Sequence, residues 1–346
     1  MNSQTAAKSR CLRFALAGLA ATAALGAFPS IAAAHGAIAP VATSYLAKVG
    51  SIPPGLAAKV IDGDQQLWLS EPSNQIVVVL DYRGAPYLRF SRSGVEVNRQ
   101  SAMYFLNQSP AQAPPPNLTP GTQPTWHAVS SGHDYGWHDG RLHALAAVAR
   151  APGTTYVGRW TIPVVVDGAA SAISGGVWYA GSPSLVWLWP IVVIVACVLA
   201  ARRLRRPPLN ERLGRLLGAV ALIATAIAGA GRELHGRPAV GVGQAIVLAL
   251  ILAFCGWAIV RLFLGRHGYF LLFLISFVAL WAGGSLVPVL FHGFVLMAVP
   301  PFVARAAAVV CFGCGAGLFL IVLAMMDQSG SGGSRTSPLV DERVAA

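Results

Sequence analysis

The sequence predicts an exported all-β sandwich followed by an α-helical transmembrane bundle of about five helices. Three features carry that reading: a secretory-type N-terminus, short β-rich runs with Gly and Pro punctuation as far as residue 183, and long apolar runs beyond it. Of the 346 residues, 55% are apolar and only 11% charged, the latter less than half the roughly 25% of soluble proteins. Mean hydropathy is +0.59. These values fit a membrane protein carrying one soluble part. The expected layout is a signal peptide (1–34), an extracytoplasmic sandwich domain (35–183), a transmembrane helical domain (184–326) and a disordered cytoplasmic tail (327–346).

The signal comes first. Lys8, Arg10 and Arg13 precede a 15-residue apolar run, Phe14 to Phe28, which Pro29-Ser30 breaks before Ala32-Ala33-Ala34-His35. A basic start, an apolar middle and an A-x-A end make a cleavable export signal. The run is shorter than the roughly 20 residues of a membrane span. A cut after Ala34 gives a mature chain beginning with His35; a cut after Ala32 also satisfies the small-residue rule.

In the next segment, Gln66–Leu69, Gln75–Leu80, Tyr87–Phe90, Gly94–Val97, Ala102–Leu106, Leu142–Val148, Tyr156–Val166 and Ile173–Tyr179 read as strands, after a loose Pro/Gly/Ala start. Short strands separated by turn residues indicate an antiparallel, immunoglobulin-like sandwich. Six prolines between Asn107 and Trp126 exclude a central strand there and imply a long surface loop. None of the five cysteines lies in residues 35–183, so apolar packing rather than disulfides must hold this domain.

The membrane half reads as five spans: Ser184–Ala201, Leu216–Gly231, Gly241–Val260, Tyr269–Leu290 and Ala304–Met325. The apolar piece His292–Val303 is an interfacial or re-entrant segment, or a sixth span. Six basic residues between Arg202 and Arg215 put the end of the first span in the cytoplasm. The sandwich is therefore outside and the tail inside a multi-pass cell-membrane protein. The formal charge of +12 resides mostly in the N-terminal signal and the membrane half, whereas residues 35–183 carry nine basic against eight acidic side chains. This is a topology signal rather than a nucleic-acid surface. The partners implied are the bilayer, a metal ion and, alternatively, a cell-envelope protein.

The densest polar cluster follows the proline loop: Trp126-His127, then His133-Asp134-Tyr135-Gly136-Trp137-His138-Asp139-Gly140-Arg141-Leu142-His143. Four of the eight histidines fall within these residues. Imidazole is the commonest protein metal ligand, and carboxylates orient such ligands. His133, His138, His143 and Asp139 are thus candidate metal residues. On a continuous strand His138 and His143 would point to opposite faces, while Asp139, Arg141 and His143 would share one. The competing reading is a polar loop held by structural hydrogen bonds, including an Asp139–Arg141 pair. A terminal His35 would add its α-amino and ring nitrogens to one ion, and nitrogen ligation of this kind suits Cu(II). Near the membrane, His292 is either a functional polar residue or an interfacial one. Cys311-Phe312-Gly313-Cys314 has thiols at i, i+3, yet Gly313 and Gly317 mark a small-residue packing face, which the spacing favours.

The chain resembles exported copper-resistance proteins of the CopC type, fused to a CopD-like membrane bundle. The residues carrying the resemblance are His35-Gly36, Pro152-Gly153, Tyr156, Arg159-Trp160, Asp167-Gly168, Gly175 and Trp178-Tyr179. The resemblance implies a copper-handling sandwich whose N-terminal His is a ligand. It departs at Ala169, where the family carries a ligand histidine, so His133, His138 or His143 would have to substitute. Phosphate-binding loops, the G-x-S-x-G elbow, H-E-x-x-H and dinucleotide fingerprints are absent from the sequence. The expectation is a non-enzymatic, membrane-anchored copper-binding protein, with an envelope interaction or sensing module as the alternative.

Overall fold

The computed structural model describes residues 40–143, 155–203, 207–265 and 268–331. The signal, His35, Pro152-Gly153, most of the expected strand Leu142–Val148 and the greater part of the tail lie outside them.

The N-terminal region is sheet-rich. Its strands are β1 (Ala42–Thr43), β2 (Tyr45–Ser51), β3 (Ala57–Ile61), β4 (Gln66–Ser70), β5 (Val77–Leu80), β6 (Pro86–Ser91), β7 (Gly94–Asn98), β8 (Trp126–Ser130), β9 (Asp134–His138), β10 (Tyr156–Val166) and β11 (Ala169–Tyr179). Seven of them form one antiparallel sheet in the order β2-β11-β10-β5-β6-β7-β8, and β3-β4-β9 form a second. Leu67, Leu69 and Trp137 of the smaller sheet meet Val79, Leu88, Phe90, Trp160, Ile162 and Ile173 of the larger in one buried core. The pattern is the alternation of a half-buried strand: β4 buries Leu67 and Leu69 while Gln66, Trp68 and Ser70 face outward.

The hairpin between β10 and β11 turns on Asp167-Gly168, both at positive φ, as a two-residue hairpin loop requires. Asp167 Oδ1 also accepts from Ile76 N at 2.8 Å, tying the turn to β5. Further along β11, a Cβ on Gly175 would lie 2.0 Å from Lys48 O and 2.5 Å from the Trp160 ring. Only glycine lets β2 and that ring close on this strand.

Ala102–Leu106, expected as a strand, is a short helix, α1. Ser101 caps it, its Oγ accepting from Met103 N at 3.3 Å. The buried Asp81 carboxylate accepts from both Ser101 Oγ (2.8 Å) and Ala102 N (3.0 Å). That tertiary contact fixes the first turn, and Ala, Met and Leu are good helix formers. The loose start after residue 35 contains β2 and β3, and the polar cluster supplies β8 and β9.

The C-terminal region is helical: α2 (Trp189–Arg203), α3 (Pro207–Glu233), α4 (Val242–Phe263), α5 (Tyr269–Ser285) and α6 (Pro301–Ser331). These helices fall on the five expected apolar runs. Within α3, α4 and α6, the stretches Glu211–Glu233, Val242–Phe263 and Pro301–Met326 are long and apolar enough to cross a membrane; Leu185–Ala200 and Tyr269–Ser285 are shorter apolar helices. At the centre, α6 packs on α2, α3 and α5. A Cβ on Gly313 would meet Ile194 at 2.7 Å, and one on Gly317 would meet Val198 at 3.1 Å, both on α2. The glycine face is thus where two helices approach closely.

Residues 291–300 form no helix. They carry a two-residue strand, β12 (Phe294–Val295), that pairs with β1. Leu296 N donates to Val41 O at 2.7 Å, and Val41 and Ala42 are buried against Ala228, Val289 and Met297. Arg237, after α3, donates to Pro40 O at 2.9 Å and lies 3.4 Å from Asp62 Oδ1. The sheet region is thereby joined to one end of the helical region.

Gly175→Ala is expected to cost about 2–3 kcal/mol, because backbone and a buried ring must both move. Chemical denaturation of the full chain measures this; an unchanged stability would refute the close packing of β2 on β11.

Candidate functional site

The polar cluster is organised by one buried carboxylate. β9 ends at His138, and Asp139 then caps a 3₁₀ turn over Gly140–Leu142. Asp139, with no exposed surface, accepts from Trp137 Nε1 at 2.9 Å through Oδ2. Arg141 grips the same carboxylate, Nε to Oδ1 at 2.8 Å and Nη2 to Oδ2 at 2.7 Å. Such a fork is the strong geometry for an Arg–carboxylate pair. Arg141 Nη1 donates onward to Leu80 O at 3.0 Å, its guanidinium lies over the Tyr82 ring, and Tyr82 Oη accepts from Gly140 N at 2.6 Å. The turn is pinned from both sheets.

That turn changes where the histidines point. The continuous strand that would separate His138 from His143 does not exist; the 3₁₀ turn folds the chain back, and the two rings stand edge to face, 5.8 Å between centroids. Each is oriented through Nδ1. His138 Nδ1 meets the carbonyl of Gln65, which can only accept, so Nδ1 carries the hydrogen. His143 Nδ1 faces Asp64 Oδ2 at 3.4 Å. In each neutral ring Nε2 then keeps its lone pair, as where carboxylates and carbonyls orient metal-binding imidazoles. The hydrogen bond to Asp64 raises the His143 pKa, burial opposing it.

The other candidates lie apart from this pair. Asp139 has both oxygens committed to Arg141 and Trp137, so its role here is to hold the turn. His133 precedes β9 at its opposite end, with Nδ1 3.8 Å from Glu71 Oε2. His292 belongs to the junction between the two regions, where its Nδ1 is 2.9 Å from Ser44 Oγ. Arg305 holds that loop by donating to the carbonyls of Val289, His292 and Gly293. Cys311 and Cys314 are buried in the helical core, with Cys311 Sγ 3.9 Å from Thr225 Oγ1. Among the described residues, no three His, Cys, Asp or Glu side chains are grouped to hold a metal ion.

Asp64, Gln65 and Tyr82 complete the site without having been singled out from the sequence. The signal for Asp64 was present in Asp62-Gly63-Asp64, where Asp62 and Gly63 take positive φ and turn the chain between β3 and β4.

Two outcomes follow. Asp139→Ala leaves Arg141 and Trp137 Nε1 without their acceptor and should cost about 3–5 kcal/mol, read by denaturant unfolding. His143, with its pKa raised in the fold, stabilises most below the usual histidine value of about 6.5 and loses this as pH rises through its elevated value. The Tm difference between wild type and His143→Gln should therefore be largest near pH 5–6 and shrink toward pH 8. A difference independent of pH would refute the His143–Asp64 pairing. No protein-family model, curated protein or solved structure matches this chain.

Proposed function

We propose that this is a membrane-anchored, extracytoplasmic copper-binding protein, with an immunoglobulin-like sandwich that captures Cu(II) and a five-span bundle that anchors it. The observation that carries the reading is the His138–His143 pair, two imidazoles 5.8 Å apart between centroids, each held through Nδ1 by an oxygen so that Nε2 is the nitrogen left for a ligand. Two such nitrogens on one ion would make half of a tetragonal Cu(II) set. The mature N-terminus, with the amino and ring nitrogens of His35, supplies the rest. Contacts at the start of the described chain support this. Arg237 binds Pro40 O and also faces Asp62, so residue 40 begins beside the turn that carries Asp64. The five residues from His35 to Pro40 span at most about 18 Å.

The helical region supports the topology. Loops bearing Arg237 and β12, which touch the sheet region, are those expected outside; α2 and α4 close on Arg202-Arg203 and near Arg261, the basic ends expected in the cytoplasm. In this reading the ion is cargo, taken up by the sandwich and directed toward the bundle by way of His292, whose ring already contacts Ser44. The alternative of an envelope interaction or sensing module draws on the internal use of Asp139 and Arg141, which gives part of the cluster a structural role.

The test is Cu(II) titration of the full-length mature protein in detergent, followed by electron paramagnetic resonance. We expect one nitrogen-rich Cu(II) signal, weakened at least tenfold by His143→Phe and by a Met placed before His35. Equal, weak binding by the native and Met-extended forms would overturn the proposal.

A further inference from the structure

We infer a second metal site at the other end of β9, formed by Glu71 and His133, that takes a divalent ion of the zinc type. β4 runs into Glu71, whose N–H donates to His133 O at 2.8 Å, so the two residues face each other across the last rung of the β4–β9 ladder. The Glu71 side chain has no exposed surface, while His133 is 38% exposed. One carboxylate oxygen, Oε1, accepts from Ser73 N at 2.7 Å and Gln75 N at 2.9 Å, closing the loop after β4. The other, Oε2, makes no hydrogen bond, and neither does His133 Nδ1 opposite it. The same loop carries another buried oxygen without a hydrogen bond, Gln75 Oε1.

A fully buried carboxylate oxygen without a hydrogen bond is costly, and its geometry toward His133 indicates what would satisfy it. Oε2 and Nδ1 are 3.8 Å apart, too far for a hydrogen bond, which spans about 2.7–3.2 Å. A water placed about 2.8 Å from each atom would see them at about 85°, well short of its preferred angle near 109°. A metal ion about 2.1 Å from each would see them at about 130°, within the range of a distorted tetrahedral centre. One imidazole nitrogen and one carboxylate oxygen suit zinc and its borderline neighbours. The His133 side chain is 38% exposed although its Nδ1 is buried, so the ion would enter by a turn of that ring, and the rest of its coordination would have to come from water admitted with it.

This site shares no residue with the copper reading. His133 and His138 stand at opposite ends of a strand run of about 17 Å, so the two proposals can fail separately. Because the nearest nitrogen is Nδ1 rather than Nε2, the His133 ring must present its Cβ side to the ion, which fixes a short approach from the β9 backbone.

The experiment is zinc titration of the metal-stripped, untagged full-length protein in detergent, with a chromophoric chelator as competitor. One zinc equivalent should bind wild type and the His138→Phe/His143→Phe double variant alike. Affinity should fall at least tenfold in Glu71→Gln, which keeps Oε1 as an acceptor for Ser73 and Gln75, and in His133→Phe, a change at a half-exposed position. Failure of the wild type to bind zinc, or equal binding after His133→Phe, would overturn the inference. Loss in the His138/His143 double variant with retention in His133→Phe would assign the zinc to the other pair and would likewise overturn it.

Discussion

The Asp139–Arg141 pair is the constraint on which the polar end of the sandwich depends. Burying one carboxylate without partners is prohibitively costly, and here four donors remove that cost: Trp137 Nε1, Arg141 N, and two guanidinium nitrogens. Because Trp137 sits in the core and Arg141 also reaches Leu80 O on β5, the pair ties the smaller sheet to the larger one. The site histidines flank this knot in sequence. Their relative position is therefore set by the core rather than by a free loop.

Much of the architecture was legible because the patterns were local. Val77–Leu80, Pro86–Ser91 and Gly94–Asn98 are β-branched or aromatic runs divided by turn residues, and the hairpin of β10 and β11 is announced by Asp167-Gly168. The long apolar runs needed only composition. What escaped was decided at a distance. Ala102–Leu106 contains Tyr and Phe, which argue for a strand, yet Asp81 reaches it across about twenty residues of chain and secures a helical first turn. β3 is Ala-Ala-Lys-Val-Ile, without aromatic residues or a clean alternation, and becomes a strand by pairing with β4.

The site was legible in its residues but not in its geometry. His138, Asp139, Arg141 and His143 stand out by type, and the Asp139–Arg141 pair is close enough in sequence to be foreseen. The partners that orient the rings, Gln65 and Asp64, lie more than seventy residues away, and no periodicity links them to the cluster. Glu71 was invisible for the same reason. A lone acidic residue after a strand looks like a solvated turn until the backbone of His133 is found opposite it.

The pairing of β1 with β12 has a consequence for biogenesis. Ala42 meets Val295 and Thr43 meets Phe294, partners some 250 residues apart in a chain that is made from its N-terminus. The sheet strands through β11 are complete well before β12 is synthesised, so the sheet region must exist for a time with its first strand unmatched. The seam between the two halves closes only when the loop before the last helix has been made. That order makes docking a late checkpoint: until the loop carrying β12 is in place, the N-terminal strand finds nothing to pair with.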